Sequence, residues 1–262
     1  MHVAAQQPPL RVLRAFTNPE SGALVHLHNV SGGILGGDQL SLRVRAEAGS
    51  RVQLTTTSAT RVYRCKADGI ESVQRSEIEV GPHALLEILP DPLIPFAGAH
   101  YRQEMVLKLG EAARLFWWEV LTPGREARGE VFAYKLVYLA TSITAAGMPV
   151  AWERMAFEPG PDRSAQDAVF GPYRYLSTCY LCSVGASRQT LNGWEGQLTA
   201  LAAQFSTPGD SLWGVSTLAA HGLIIRGLSR SGRDIATQLF AFWRLSRALL
   251  GEPTPTLPRK LY

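Results

Sequence analysis

The residues of this chain that could do chemistry are few, and most stand apart from one another. Asp38 closes the run Ser31-Gly32-Gly33-Ile34-Leu35-Gly36-Gly37-Asp38, which puts four glycines into six positions. A phosphate loop of the Walker type needs a lysine at its end to reach the phosphates. This run ends on a carboxylate, which repels them. A dinucleotide fingerprint must open a helix, whereas the alternation after Asp38 opens a strand. What remains is backbone chemistry: glycine supplies positive φ and lets two backbones approach closely. His26 and His28 are two apart, so on a strand they share a face. With Asp38 they offer a partial nitrogen-and-oxygen metal site, against the alternative of two ordinary surface histidines.

Cys179 and Cys182 form a C-x-x-C in Cys-Tyr-Leu-Cys. Its redox use needs a helix start and its zinc use needs a second pair, and the sequence has neither. On an extended strand, positions three apart point to opposite faces, so the sulfurs do not converge. The stretch Gly-Leu-Ser-Arg-Ser-Gly misses the nucleophile elbow by one position, and H-E-x-x-H is absent. No arrangement reads as an enzyme centre. Two carboxylates are more telling: Glu119 inside Leu-Phe-Trp-Trp-Glu-Val-Leu, and Glu153 inside Val-Ala-Trp-Glu-Arg-Met. An ionised carboxylate in such surroundings must pair, hydrate or protonate. Arg154 is adjacent to Glu153 but points to the other face of a strand. Each acid either pairs with another arginine or lines a wet interior passage.

The elements that must hold these residues are mostly strands. Short windows alternate apolar and polar residues at 40–46, 51–57, 71–80, 84–90, 102–109, 113–121, 130–140 and 149–157, with Gly, Pro or Asn between most of them. Turns every dozen residues predict a mostly β fold, and the absence of βαβ alternation disfavours a doubly wound nucleotide-binding sheet. Two segments predict helices. In 190–205, Trp194, Leu198, Leu201 and Phe205 share a face. In 231–253, Ser231 and Asp234 make a capping-box-like start, Ile235, Leu239, Phe242 and Leu249 share a face, and Gly251 and Pro253 end the helix. The loop-like stretch 157–172 is the longest.

The chain has 262 residues, 46% hydrophobic and 18% charged, enough to bury a sizeable core. The net charge of +4 suits an acidic partner and is too small to argue for nucleic acid. Three cysteines do not make a disulfide framework, which favours a reducing compartment. The N-terminus has no signal-peptide pattern and no run approaches eighteen apolar residues, so a soluble cytoplasmic protein without a membrane span is expected.

Five ordered elements resemble one family. Pro-Pro-Leu-Arg-Val-Leu-Arg-Ala-Phe, followed by the glycine run (Gly32, Gly33, Gly36, Gly37), is similar to the start of the urease accessory protein UreD, also called UreH. The stretch around Tyr63 and Arg64 resembles that family's Thr-x-x-Ala-x-Lys-x-Tyr-Arg element. Leu-Pro-Asp-Pro around Pro90 and Asp91, and Gly-Arg-x-x-x-Gly-Glu from Gly124 and Arg125, resemble two more. The C-terminal Pro-Arg-Lys-Leu-Tyr is similar to a Leu-Pro-Arg-x-Trp ending. The likeness runs from about residue 8 to the end. Departures are Asn29-Val30-Ser31 where Pro-Pro is usual, Arg61 for lysine, Tyr262 for tryptophan, and a shortened or missing first strand segment before residue 8.

The resemblance implies one UreD-like domain over 1–262, with short strands stacked in a helical, β-helix-like topology plus two helices, the last near the C-terminus. It implies a non-enzymatic maturation factor that joins UreF and the GTPase UreG on apo-urease, with a dimer of heterocomplexes as one form of the assembly. It implies help with nickel delivery and no tightly bound cofactor, only transient Ni²⁺. The tunnel acids proposed for the family align with Asp38, Glu119 and Glu153, and His28 is a candidate neighbour. A pure docking scaffold without ion passage is the alternative, and a nucleotide binder built on the glycine loop is a distant third.

Overall fold

A parallel strand pair needs a crossover connection, most often a helix. This chain makes its crossovers by visiting a second sheet instead. The computed structural model describes residues 1–18, 22–66, 69–160 and 169–253. The strands are β1 (Leu10–Asn18), β2 (Gly22–Asn29), β3 (Gln39–Ala46), β4 (Arg51–Thr56), β5 (Thr60–Val62), β6 (Ser72–Val80), β7 (Leu85–Leu89), β8 (Leu93–Pro95), β9 (His100–Leu109) and β10 (Arg114–Leu121). They continue with β11 (Leu136–Ala145), β12 (Met148–Phe157), β13 (Tyr175–Ser183), β14 (Ser211–Thr217) and β15 (Gly222–Ser229). The first sheet runs β1-β2-β4-β7-β10-β13-β15-β14, with short β5 and β8 beside β10. The second runs β12-β11-β9-β6-β3.

From β2 to β11 the main strands alternate between the sheets, so each sheet grows by parallel neighbours: β2, β4, β7 and β10 in one, β3, β6, β9 and β11 in the other. The corners stack on one another. Gly81 N–H donates to Ala46 C=O at 2.8 Å, and Gly110 N–H donates to Val80 C=O at 2.8 Å. A Cβ at position 81 would lie 2.8 Å from the Ala46 oxygen, so the stacking requires glycine there.

Two helices, α1 (Arg188–Phe205) and α2 (Gly232–Leu249), pack on the outer face of the first sheet. Ser187 caps α1 by accepting from Thr190 N–H at 3.1 Å, and Ser231 caps α2 by accepting from Asp234 N–H at 3.4 Å. The predicted stripes face the sheet: Leu198, Ile235, Leu239 and Phe242 are buried, with Trp194, Leu201, Phe205 and Leu249 packed beside them. Gly251 adopts φ +72 just past the end of α2.

Two cores result. Ile78, Leu107, Trp117, Ile143 and Tyr180 fill the space between the sheets, and Phe116, Leu181, Leu223 and Phe242 fill the space under the helices. On β13 the alternation sends Cys179 to the helix side and Cys182 to the inter-sheet side, and both thiols are free. Burial pushes each thiol up to about 12.

The strand expected at 130–140 begins only at Leu136 and runs on to Ala145. Residues before it are turned by Glu130, whose N–H donates to Arg125 C=O, and by Phe132 at φ +52. The windows do not include β1, β2 or β13 to β15. Most of these strands are buried on both faces or sit beside a helix, so strict alternation is lost. Positions 161–168 of the loop-like stretch and the C-terminal ending at Tyr262 lie outside the described residues. Among the described residues no helix is long and apolar enough to cross a membrane.

One buried ion pair fastens α2 to the first sheet. Glu87 Oε2 on β7 accepts from Arg247 Nη1 at 2.5 Å and from Gln53 Nε2 at 2.8 Å, and its Oε1 accepts from Trp243 Nε1 at 2.7 Å. Both charged side chains are at most 1% exposed. Arg247→Met should lower the free energy of unfolding by about 3–5 kcal/mol, because it strands a buried carboxylate. The double change Glu87→Leu with Arg247→Met should recover part of that loss. Urea denaturation followed by tryptophan fluorescence checks both.

Candidate functional site

Between the two apolar ends of the inter-sheet space lies a belt of polar side chains. Strand parity puts them there. Glu119 on β10 pairs with Thr178 on β13, which pairs with Arg226 on β15. On the facing sheet, Thr141 on β11 lies between Met105 on β9 and Glu153 on β12. All sit at positions whose neighbours two residues away belong to the inner cores, so their side chains point between the sheets.

Glu119 faces a cavity of about 90 Å³, also lined by Gln74, Ser76, Asp91, Gln103 and Trp117. Its Oε2 accepts from Gln103 Nε2 at 2.9 Å, while its Oε1 is buried without a hydrogen-bond partner. The residue keeps some accessible surface where it borders the cavity, while its Oε1 is buried. Burial pushes its carboxyl up to about 7, against the lowering effect of the Gln103 hydrogen bond. The Tyr101 hydroxyl lies 3.3 Å from Gln103 Oε1 and 3.5 Å from Gln74 Oε1. Burial, and secondarily Glu119, raise the Tyr101 phenol far above its ordinary range.

Glu153 sits at the other end of the belt. Its Oε2 accepts from the Tyr180 hydroxyl at 2.5 Å, and its Oε1 is paired with the Arg226 guanidinium. Both Glu153 and Arg226 border a groove of about 660 Å³ between strands β12 and β14, at the edges of the two sheets. Tyr180 stacks on Trp117 with centroids 5.2 Å apart and planes 13° from parallel. Burial raises the Tyr180 phenol, and Glu119 adds to the effect. Tyr180 therefore feels both acids: it is bonded to Glu153 and within electrostatic reach of Glu119. Burial lowers the Arg226 guanidinium.

The other candidate residues occupy different places. Asp38 does not line the cavity at Glu119. Its Oδ2 accepts from Leu35 N–H at 2.9 Å, so the carboxylate ties the glycine turn to itself. Gly32 and Gly37 adopt φ +79 and +88. Gly33 and Gly36 allow close approach: an added Cβ would lie 2.4 Å from the Tyr63 ring and 2.9 Å from Cys65 Cα. His26 and His28, ring centroids 6.4 Å apart, share the face of β2 opposite Val25 and Leu27, whose side chains pack inward with Leu54. His28, Asp38 and Glu119 are thus not brought together. Among the described residues no three His, Cys, Asp or Glu side chains gather in a form that could hold a metal ion.

Tyr63 and Arg125 join through Phe96, on which Tyr63 packs edge-on at 4.9 Å and over which Arg125 sits at 4.0 Å. Arg125 pairs with Glu130, which raises the guanidinium and lowers the carboxyl. Gly124 at φ +130 brings its backbone against the Glu130 carbonyl, and Arg64 bridges to the backbone of Ala99. These motif residues knit one end of the sandwich. Pro90 and Asp91 alone among the motif residues line the Glu119 cavity. Pro90 C=O accepts from Trp118 Nε1 at 2.9 Å, and Asp91 Oδ2 accepts from the Thr56 hydroxyl at 3.0 Å. Gln74, Tyr101, Gln103, Tyr180 and Arg226 were not singled out from sequence. Gln74 and Gln103 occupy inward parity positions inside alternating windows, and that misplaced polarity was the available signal.

A family model described as UreD urease accessory protein matches residues 1–261. A Herpetosiphon aurantiacus protein named urease accessory protein UreD is 44% identical, covering 99% of this chain and 90% of its own. Proteins of the same name from a Nostoc species and from Deinococcus radiodurans are 37% and 35% identical. The first alignment covers 97% of this chain and 87% of the relative, the second 74% and 72%.

The raised Glu119 carboxyl carries a pH signature. The folded state holds the proton up to about pH 7, whereas the unfolded chain releases it near the ordinary 4.5. Stability from this group is therefore fully present below about pH 4.5 and is lost as pH rises to 7. Glu119→Gln should be more stable than the parent by about 3 kcal/mol above pH 7 and equal to it near pH 4.5. Denaturation curves at pH 4.5, 6 and 8 check this.

Proposed function

The chain belongs to the UreD urease accessory protein family, and from that premise we propose that it passes nickel through its polar belt while bridging UreF, UreG and apo-urease. Family membership implies a role in urease maturation, and the relatives are named accessory proteins rather than enzymes. The further steps are our reading. The single observation that carries it is the Glu119 carboxylate, with one buried oxygen unpartnered beside a polar-lined cavity, in the same inter-sheet belt as Glu153, which borders a surface groove.

The physical argument concerns binding strength. Conduction needs sites that admit an ion and then release it. A closed cage of thiolates and imidazoles would trap Ni²⁺, whereas isolated carboxylates with amides and hydroxyls hold it weakly. A cavity of about 90 Å³ has room for about three waters, so an ion there would keep only part of its hydration shell. Glu119, Gln103 and Ser76 offer replacement oxygens. Asp38 enters this reading as the residue that locks the glycine turn, and His28 has no assigned part in it. In this reading the protein works in the cytoplasm, carries no tightly bound cofactor and has no catalytic residue.

The competing reading, a docking scaffold without ion passage, gives the Glu119 cavity no role beyond holding water. Glu119→Ala and Glu153→Ala, each co-expressed with the urease subunits, UreF and UreG, should lower the nickel content of purified urease several-fold while assembly on urease persists. Metal analysis of the purified enzyme checks this. Full nickel content in both variants would establish the scaffold instead.

A further inference from the structure

The outer face of the second sheet divides into two halves. Over β3, β6 and β9 it carries a lattice of opposite charges: Arg43 pairs with Glu77, Arg45 with Glu47 and Glu79, Arg75 with Glu104, and Arg102 with Glu71. Such a face satisfies itself in water. Over β11 and β12 the character changes. Trp152 stands 73% exposed in mid-strand, and Arg154 lies over its ring at 4.9 Å. Register explains why Arg154 joins no lattice. Its cross-strand neighbour is Ala140, and the next residue along the row is Glu104, already held by Arg75 at 2.9 Å. Two strand spacings, about 10 Å, separate Arg154 from that carboxylate. Among the described residues no carboxylate lies within ion-pair distance of Arg154. Trp152 faces Ser142 and then Val106 along its own row, so nothing polar shields the indole from above. Both helices pack on the other sheet and leave this face open.

We infer that the β11–β12 outer face is a docking surface for an acidic protein partner, with Trp152 as the apolar anchor and Arg154 as the receptor for a partner carboxylate. Aromatic residues and arginine are the side chains that dominate protein interfaces. The sign of the partner follows from Arg154, which has no ion-pair partner among the described residues, and from the chain's net charge of +4, which disfavours a second copy as the occupant. The same strand carries Glu153 on its inner face, so a partner seated here would sit beside the groove at the end of the polar belt.

The inference rests on the maturation reading for the identity of the probes alone. Purified UreF, UreG and apo-urease would each be titrated, without nickel, against the parent protein, Trp152→Ala and Arg154→Glu at low and high salt. For at least one probe, both variants should raise Kd by about tenfold or more. The Arg154→Glu effect should shrink at high salt, and circular dichroism and Tm should stay at parent values. Unchanged Kd for all three probes would overturn the inference, as would parent protein that binds none of them. A parent dimer that either variant converts to a monomer in size-exclusion light scattering would overturn it in favour of a second copy. Nickel plays no part in these measurements, so failure of the passage reading, seen with the Glu119 and Glu153 variants, would be separately visible.

Discussion

A carboxylate at an inward position of a strand, with a second sheet packed over it, is largely cut off from bulk water and must find polar partners. Everything about the interior of this molecule follows from that constraint. The chain weaves between two sheets from β2 to β11, so the inner faces of both sheets pack on each other. Residues at inward parity must then pack, pair or line a void. Most are apolar and pack. Glu119 and Glu153 cannot, and the polar belt is the structure's response: amides, hydroxyls and one guanidinium placed opposite them by register.

The molecule treats its buried acids in two different ways. Glu87 is fully enclosed by Arg247, Trp243 and Gln53, all within hydrogen-bond distance, and none of its oxygens faces a void. That arrangement suits an anchor between helix and sheet. Glu119 instead has one amide partner, one oxygen without a protein partner and a cavity before it, and its carboxyl is shifted to about 7. Such a group can change protonation or ligand near neutral pH at small cost, which a purely structural acid does not need. The contrast separates a fastening from a site, and it uses only partners and burial.

The fold was legible to the extent that alternation was. Windows with one solvated face, such as 40–46 and 71–80, match β3 and β6 within a residue. Strands covered on both faces, such as β13, show no alternation and escaped notice. The two helices were legible from their apolar stripes, and the second also from its Ser231 cap; the Ser187 cap of the first was not read. The glycine run was read as a device for positive φ and close approach, and the structure assigns two glycines to each task. Its terminal Asp38 could not be placed from sequence, because a turn carboxylate can face inward or bond its own loop, as Asp38 does through Leu35 N–H, and the local residue types allow both.

The sequence by itself determined the strand-rich architecture, the two helices, the family motifs and the presence of two acids in apolar surroundings. Local pattern carries all of these, since periodicity, caps and turn residues act over a few positions. Only the tertiary structure decided that Glu119 and Glu153 lie in one inter-sheet belt, and that Asp38 and His28 lie outside it. It also left Arg154 alone among the outward arginines named above without a carboxylate. Those outcomes depend on register between strands that are distant in sequence, such as β10 with β13 and β9 with β11. Strand parity tells which face a side chain takes. Which side chain it meets there is set by how the sheets slide against each other, and no local window contains that information.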